Sequence, residues 1–106
     1  MTKTSAVRFV ALYSWKLKPG SESQFVDSWT KVTESLLECG SFGSRLHQGA
    51  NGIWYAYAQW PSSAARDDAF TKKKDLPDSF KMADAVLEQF PAIFMEPVSD
   101  LLVLPT

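Results

Sequence analysis

Gly52-Ile53-Trp54-Tyr55-Ala56-Tyr57-Ala58-Gln59-Trp60-Pro61 reads as a β-strand with apolar or aromatic side chains on both faces. Side chains alternate along a strand, so Trp54, Ala56, Ala58 and Trp60 share one face, while Ile53, Tyr55, Tyr57 and Gln59 share the other. A strand buried on both sides has something packed against each of them. The rest of the chain must supply both covers, or take one from a partner.

Upstream, Val7, Phe9, Ala11, Tyr13, Trp15 and Leu17 alternate through Ala6–Leu17 and predict a second strand with an aromatic-rich face. Its other face carries Val10 and Leu12 beside Arg8, Ser14 and Lys16, and Pro19-Gly20 ends it. Ser21 with Gln24 three residues later has the form of a capping box. Phe25, Trp29, Val32, Leu36 and Leu37 follow at helical spacing, and Cys39-Gly40 closes that helix, with Gly40 suited to the left-handed position past its end. Ser41–Gln48 reads as a more polar strand. Gly49-Ala50-Asn51-Gly52 then makes a hairpin turn in which Asn-Gly supplies positive φ angles.

Downstream, Pro61 stops the strand, and Ser62 or Ser63 caps a short helix running through Phe70. Lys72-Lys73-Lys74 lies near its carboxyl end, where cations suit the helix dipole, and reads as a solvated helix end. After Leu76-Pro77, Asp78 caps a third helix with Met82, Val86, Leu87 and Phe90 on one stripe, ending before Pro91. Ala92–Leu104 is a last extended segment with a bend expected at Pro97.

The order strand, helix, strand, strand, helix pair, strand predicts an α+β fold, a ferredoxin-like βαββαβ antiparallel sheet with its helices on one face. One domain spans all 106 residues. The helices leave the other sheet face open, and the apolar centres of two strands lie on it. We therefore expect a homodimer in which two sheets pack face to face.

The chain is 45% hydrophobic and 22% charged, with a net charge of −1, which gives no general electrostatic reason to bind nucleic acid or an anionic membrane. No run approaches the roughly 20 apolar residues of a spanning helix, and the amino terminus has no secretory pattern. Cys39 is the only cysteine and cannot form an internal disulfide. These features together predict a cytoplasmic protein. One histidine and one cysteine cannot make the clustered ligand set that zinc needs, and Gly40-Ser41-Phe42-Gly43 lacks the lysine of a phosphate loop. Neither a metal nor a cofactor is expected.

The run Val10-Ala11-Leu12-Tyr13-Ser14-Trp15-Lys16-Leu17-Lys18-Pro19-Gly20, then Phe25 and Trp29, then Trp54 to Pro61, together resemble the antibiotic biosynthesis monooxygenase superfamily. The resemblance runs through the element order from Ala6 to Leu104 and implies a dimeric α/β barrel with a ligand cavity in each subunit, between sheet and helices. Some members oxidise polycyclic phenols to quinones with molecular oxygen and neither metal nor flavin; others degrade haem. Trp60 matches a pocket tryptophan of the superfamily and is the first candidate catalytic residue, able to stack on a planar ring. Packing in the core is the other reading of so large a side chain.

In quinone-forming members, the resemblance implies an amide near that tryptophan and a phenol on the following helix. Ala56 and Arg66 stand at those positions here, so that site does not carry over directly. Tyr13, Tyr55 and Tyr57 are candidates to hold a phenolic ligand by a hydrogen bond, the equal alternative being that their face meets the other subunit, with Trp29 and Arg66 as further candidate ligand contacts. His47 lies on the second strand, whereas haem-degrading relatives take their axial histidine from a helix. It is a candidate general base, or a surface or interface histidine. The expected function is cofactor-independent oxygenation of a small apolar aromatic or phenolic molecule; the other expectation is a non-catalytic, ligand-binding dimer.

Overall fold

The computed structural model describes residues 7–103. Ala6, the first residue expected in the opening strand, and Leu104, the last of the final extended segment, lie outside them. The elements are β1 (Phe9–Leu17), α1 (Glu22–Glu38), β2 (Ser44–Gln48), β3 (Trp54–Trp60), α2 (Ser63–Lys72), α3 (Pro77–Asp84), β4 (Val86–Gln89) and β5 (Ile93–Met95). The strands form one open antiparallel sheet in the order β2-β3-β1-β4, with β5 also on β1. This is the ferredoxin-like arrangement that the element order predicts.

The central pair sets the floor of the molecule. β1 and β3 run from Phe9 opposite Trp60 to Trp15 opposite Trp54, so Ala11 faces Ala58 and Tyr13 faces Ala56. All of these lie on the face that packs against the helices. Ala11, Ala56 and Ala58 are buried, as are Trp15 and Trp60. Small side chains in the middle of the sheet, with large rings around them, give a dish rather than a flat packing surface.

Two core clusters sit over that dish. Trp15, Leu17 and Ala56 pack with Phe25 of α1, joined by Trp29 and Met82. Ala11, Ala58 and Trp60 pack with Ala69 of α2, joined by Phe70 and Leu36. Tyr13 touches both. The Phe25 ring meets Trp15 edge-on at 5.1 Å between centroids and Trp54 at 6.0 Å, which locks α1 onto the sheet.

Several local expectations change. The third helix stops at Asp84, and Val86–Gln89 is a strand. The lower half of β1 would otherwise present unpaired backbone groups at a sheet edge, and a run whose apolar residues fit a helical stripe also fits a strand. Pro91 therefore ends no helix. It interrupts a strand: Phe90 N–H still donates to Ser14 O at 3.0 Å, proline has no N–H to continue the ladder, and pairing resumes where Ile93 faces Leu12. The bend was expected further on, at Pro97.

Asp78 is not a cap, because the helix begins after Leu76 with Pro77 in its first turn, where a missing N–H costs nothing. The capping box does not form at Ser21 either. Gln24 donates instead to Lys81 O at 2.8 Å and ties α1 to α3. Ser62 does cap α2, accepting from Ala65 N–H at 3.0 Å.

In the β2–β3 connection only Gly52 adopts a left-handed conformation, at φ +80°. Asn51 contributes through its side chain, whose Oδ1 accepts from Ile53 N–H at 3.0 Å. Gly49 is needed for space. A Cβ there would lie 2.8 Å from the Tyr55 ring and 3.1 Å from Ile53 O. Gly49→Ala should lower stability by about 1–2 kcal/mol through overpacking, seen as a reduced melting temperature; an unchanged melt would show that the turn relaxes freely.

Candidate functional site

The dish on the sheet becomes a cavity of about 450 Å³ once the helices cover it. Ala56 and Ala58 form its floor, and the sheet adds Tyr13, Trp15 and Trp60. The helices supply Trp29 and Leu36 from α1, Phe70 from α2 and Met82 from α3. Rings dominate the walls: Trp60 meets Phe70 edge-on at 6.1 Å, and Tyr13 stacks with Trp15 at 6.0 Å and with Phe70 at 6.5 Å. Planar apolar molecules suit such a space.

Two polar atoms in these walls have no partner. The indole Nε1 groups of Trp15 and Trp60 are buried and, among the described residues, make no hydrogen bond. A buried donor left unpaired costs about 1–3 kcal/mol. Both residues line the cavity, but their nitrogens are closed off within the packed walls, so the indoles present ring surface to the interior.

A third polar group is already tethered. The Tyr13 hydroxyl accepts a hydrogen bond from Arg66 Nε at 2.8 Å. The Arg66 guanidinium lies 4.1 Å from the Phe70 ring centre and 4.8 Å from that of Phe94, and Arg66 also meets Asp67 Oδ1 at 3.1 Å. Burial pushes the Tyr13 pKa up, and the Arg66 hydrogen bond and positive charge oppose that rise only in part.

The lysine run contributes more than a solvated helix end. Lys72 pairs with Asp68 at 3.1 Å on the surface, but Lys73 is largely covered, meets Glu38 at 3.6 Å, and lines the cavity together with Lys74. Among the described residues no three His, Cys, Asp or Glu side chains are placed to hold a metal ion, and no helix is long and apolar enough to cross a membrane.

Of the residues singled out in the sequence, the cavity brings together Trp60, Trp29 and Tyr13, with Arg66 behind Tyr13. It does not include His47 or Tyr57. His47 is exposed on β2 opposite Tyr55, on the sheet face turned away from the helices. Tyr57 lines a separate depression of about 500 Å³ on that outer face, with Val10, Met95 and Leu101. Alternation puts these two positions there: β2 and β3 pair so that Leu46 and Ala56 point to the helices, and their neighbours cannot.

Trp15, like Trp29, reads in the sequence as packing on an apolar stripe, yet both line the cavity, Trp15 two residues along β1 from Tyr13. Phe70, Lys73 and Lys74 carried no such signal, since α2 has no marked apolar stripe.

No family profile matches the chain, and no curated protein matches its sequence. Solved structures do. SnoaB, a cofactor-independent oxygenase from Streptomyces nogalater solved as a mutant, is similar with a TM-score of 0.76 at 12% identity, over 89% of this chain and 96% of that one. Rv0793 from Mycobacterium tuberculosis is similar with a TM-score of 0.74 at 11% identity, over 89% and 98%. The ActVA-Orf6 monooxygenase of Streptomyces coelicolor, solved in complex with Nanaomycin D, is 25% identical over 95% of both chains, with a TM-score of 0.71. The antiparallel sheet, its helical layer and these neighbours agree with the motifs read along β1, α1 and β3, and the chain has the fold of the antibiotic biosynthesis monooxygenases among its solved neighbours.

Proposed function

We propose that this protein is a cofactor-independent monooxygenase acting on an apolar aromatic or phenolic molecule held between sheet and helices. The observation that carries the reading is a cavity of about 450 Å³ walled by the rings of Tyr13, Trp15, Trp29, Trp60 and Phe70. The rings stack on the faces of the ligand.

The chemistry then rests on the ligand. A bound phenol or anthrone loses a proton to solvent and gives an anion, whose charge Lys73 and Lys74 on the cavity wall stabilise more strongly than the neutral form. The anion passes one electron to molecular oxygen, and the radical pair joins as a peroxide at the ring carbon. Loss of water leaves a carbonyl. When a CH₂ becomes C=O, one oxygen atom enters the product and the other leaves as water. All four electrons that reduce the oxygen come from the ligand carbon.

Trp60 serves both packing and chemistry in this reading. At 1% exposure it is part of the core, so Trp60→Ala would remove a ring that the fold needs, at about 3–5 kcal/mol. Trp60→Phe is the sharper variant, keeping a ring in the core while reducing the surface on which a ligand stacks. His47 has no part in this cavity. A ligand-binding protein without turnover is the second reading, favoured by Ala56, which gives the floor of the cavity no polar group beside Trp60.

We also propose a homodimer built sheet to sheet. Leu12 and Tyr57 are half-buried on the outer face, Ile93 is 53% exposed, and the apolar residues Val98, Leu101 and Leu102 beyond β5 are almost fully exposed. A second copy lying on this face would cover them.

Two outcomes test these proposals. Light scattering at micromolar concentration should give twice the 11.8 kDa chain mass, and Ile93→Lys should shift it towards the monomer; a monomeric parent protein would remove the dimer. Purified protein should consume oxygen with a tricyclic anthrone in the absence of added metal or flavin, and Trp60→Phe should slow turnover by up to about 10-fold, the size of one lost aromatic stacking contact. Saturable binding of the same anthrone without oxygen uptake would leave the second reading in place.

A further inference from the structure

Tyr13 has one capacity that the protein does not use. Its hydroxyl oxygen accepts from Arg66 Nε at 2.8 Å, while its own hydrogen has no acceptor among the described residues. Arg66 can only donate, so it cannot take that hydrogen. Tyr13 lines the cavity and Arg66 stands behind it, outside the lining.

The arginine is held unusually firmly. Its side chain is only 16% exposed, its guanidinium lies 4.1 Å from the Phe70 ring centre and 4.8 Å from that of Phe94, and Asp67 takes one of its NH groups. A fixed cation behind a hydroxyl polarises the O–H bond and strengthens it as a donor. The arrangement therefore delivers positive character from α2 through a phenol on β1 to the inside of an apolar cavity.

We propose that Tyr13 anchors an acceptor oxygen of the ligand by donating its phenolic hydrogen, with Arg66 as the residue that positions it, so that the site selects planar aromatics carrying a phenolate or keto oxygen. This rests on the reading of the cavity as a ligand site and names its recognition element. Around the phenol, Arg66 and Asp67 of α2 carry charge, and Lys73 and Lys74 line the same cavity. β3 presents Ala56 opposite it, β5 brings Phe94 to Arg66, and α1, α3 and β4 send no charged side chain into the cavity. With its pKa raised by burial, Tyr13 stays protonated, and so a donor, throughout the neutral range.

Alkaline unfolding checks the phenol itself. Its folded pKa lies above the unfolded value of about 10, so the linked stability is complete below about pH 10 and is lost as pH rises through the folded value. Tyr13→Phe should lose less stability than the parent between pH 9 and 11.

The deciding experiment is a binding titration with two probes, the hydroxyanthraquinone alizarin and anthracene, on the parent, Tyr13→Phe, Arg66→Met and the double variant. Tyr13→Phe should bind alizarin about 10- to 100-fold more weakly, the loss of one hydrogen bond to a charged acceptor, and should reduce the red shift that marks alizarin ionising in the bound state. Anthracene should bind Tyr13→Phe as it binds the parent. Arg66→Met should weaken alizarin alone, and its effect should vanish in the Tyr13→Phe background, as expected for a residue acting through Tyr13. Equal alizarin affinity and spectrum for the parent and Tyr13→Phe would overturn the proposal while leaving the cavity as a ligand site. An Arg66→Met penalty that persists without the phenol would overturn the positioning role. Failure of the parent to bind either probe would overturn the ligand-site reading, and this inference with it.

Discussion

The register between β1 and β3 is the constraint on which the rest of the molecule depends. Pairing Phe9 with Trp60, Ala11 with Ala58, Tyr13 with Ala56 and Trp15 with Trp54 puts small and large side chains on one face in a fixed pattern. A slip of one residue would turn that whole set outward. The cavity would vanish with it, because its floor is Ala56 and Ala58 and its sheet-side walls are the neighbouring rings. Helices α1 and α2 then have one way to sit, with Phe25 against Trp15 and Trp54, and Phe70 against Trp60 and Tyr13.

Alternation alone made much of this legible. It assigned Trp54, Ala56, Ala58 and Trp60 to one face of β3 and Tyr55 and Tyr57 to the other, and that division separates the cavity from the outer surface. Where reading failed, the deciding partner was distant in sequence. Met82, Val86, Leu87 and Phe90 satisfy a helical stripe, yet Val86–Gln89 joins β1 because the edge of that strand offers backbone hydrogen bonds that no local pattern announces. Gln24 likewise leaves its own helix end for Lys81, on a different helix.

The site shows the same division. Trp60 is marked by the superfamily resemblance, and Tyr13 and Trp29 are candidate ligand contacts taken one by one. The bond between Tyr13 and Arg66 joins residues 53 positions apart, so no motif spacing records it. The superfamily resemblance marked Arg66 as a departure, a cation where a phenol is expected. In the folded chain that arginine holds a phenol contributed by another element, Tyr13 of β1.

Phe94, which closes the aromatic clamp on Arg66, belongs to β5, a strand of three exposed residues at the sheet's edge beyond the break at Pro91. Short edge strands open locally at far lower free energy than central ones. Were β5 to open, Arg66 would lose one of its rings and gain water, so its charge would be screened before it reached Tyr13. The polarity behind the cavity wall therefore depends on a contact made by the shortest strand of the sheet.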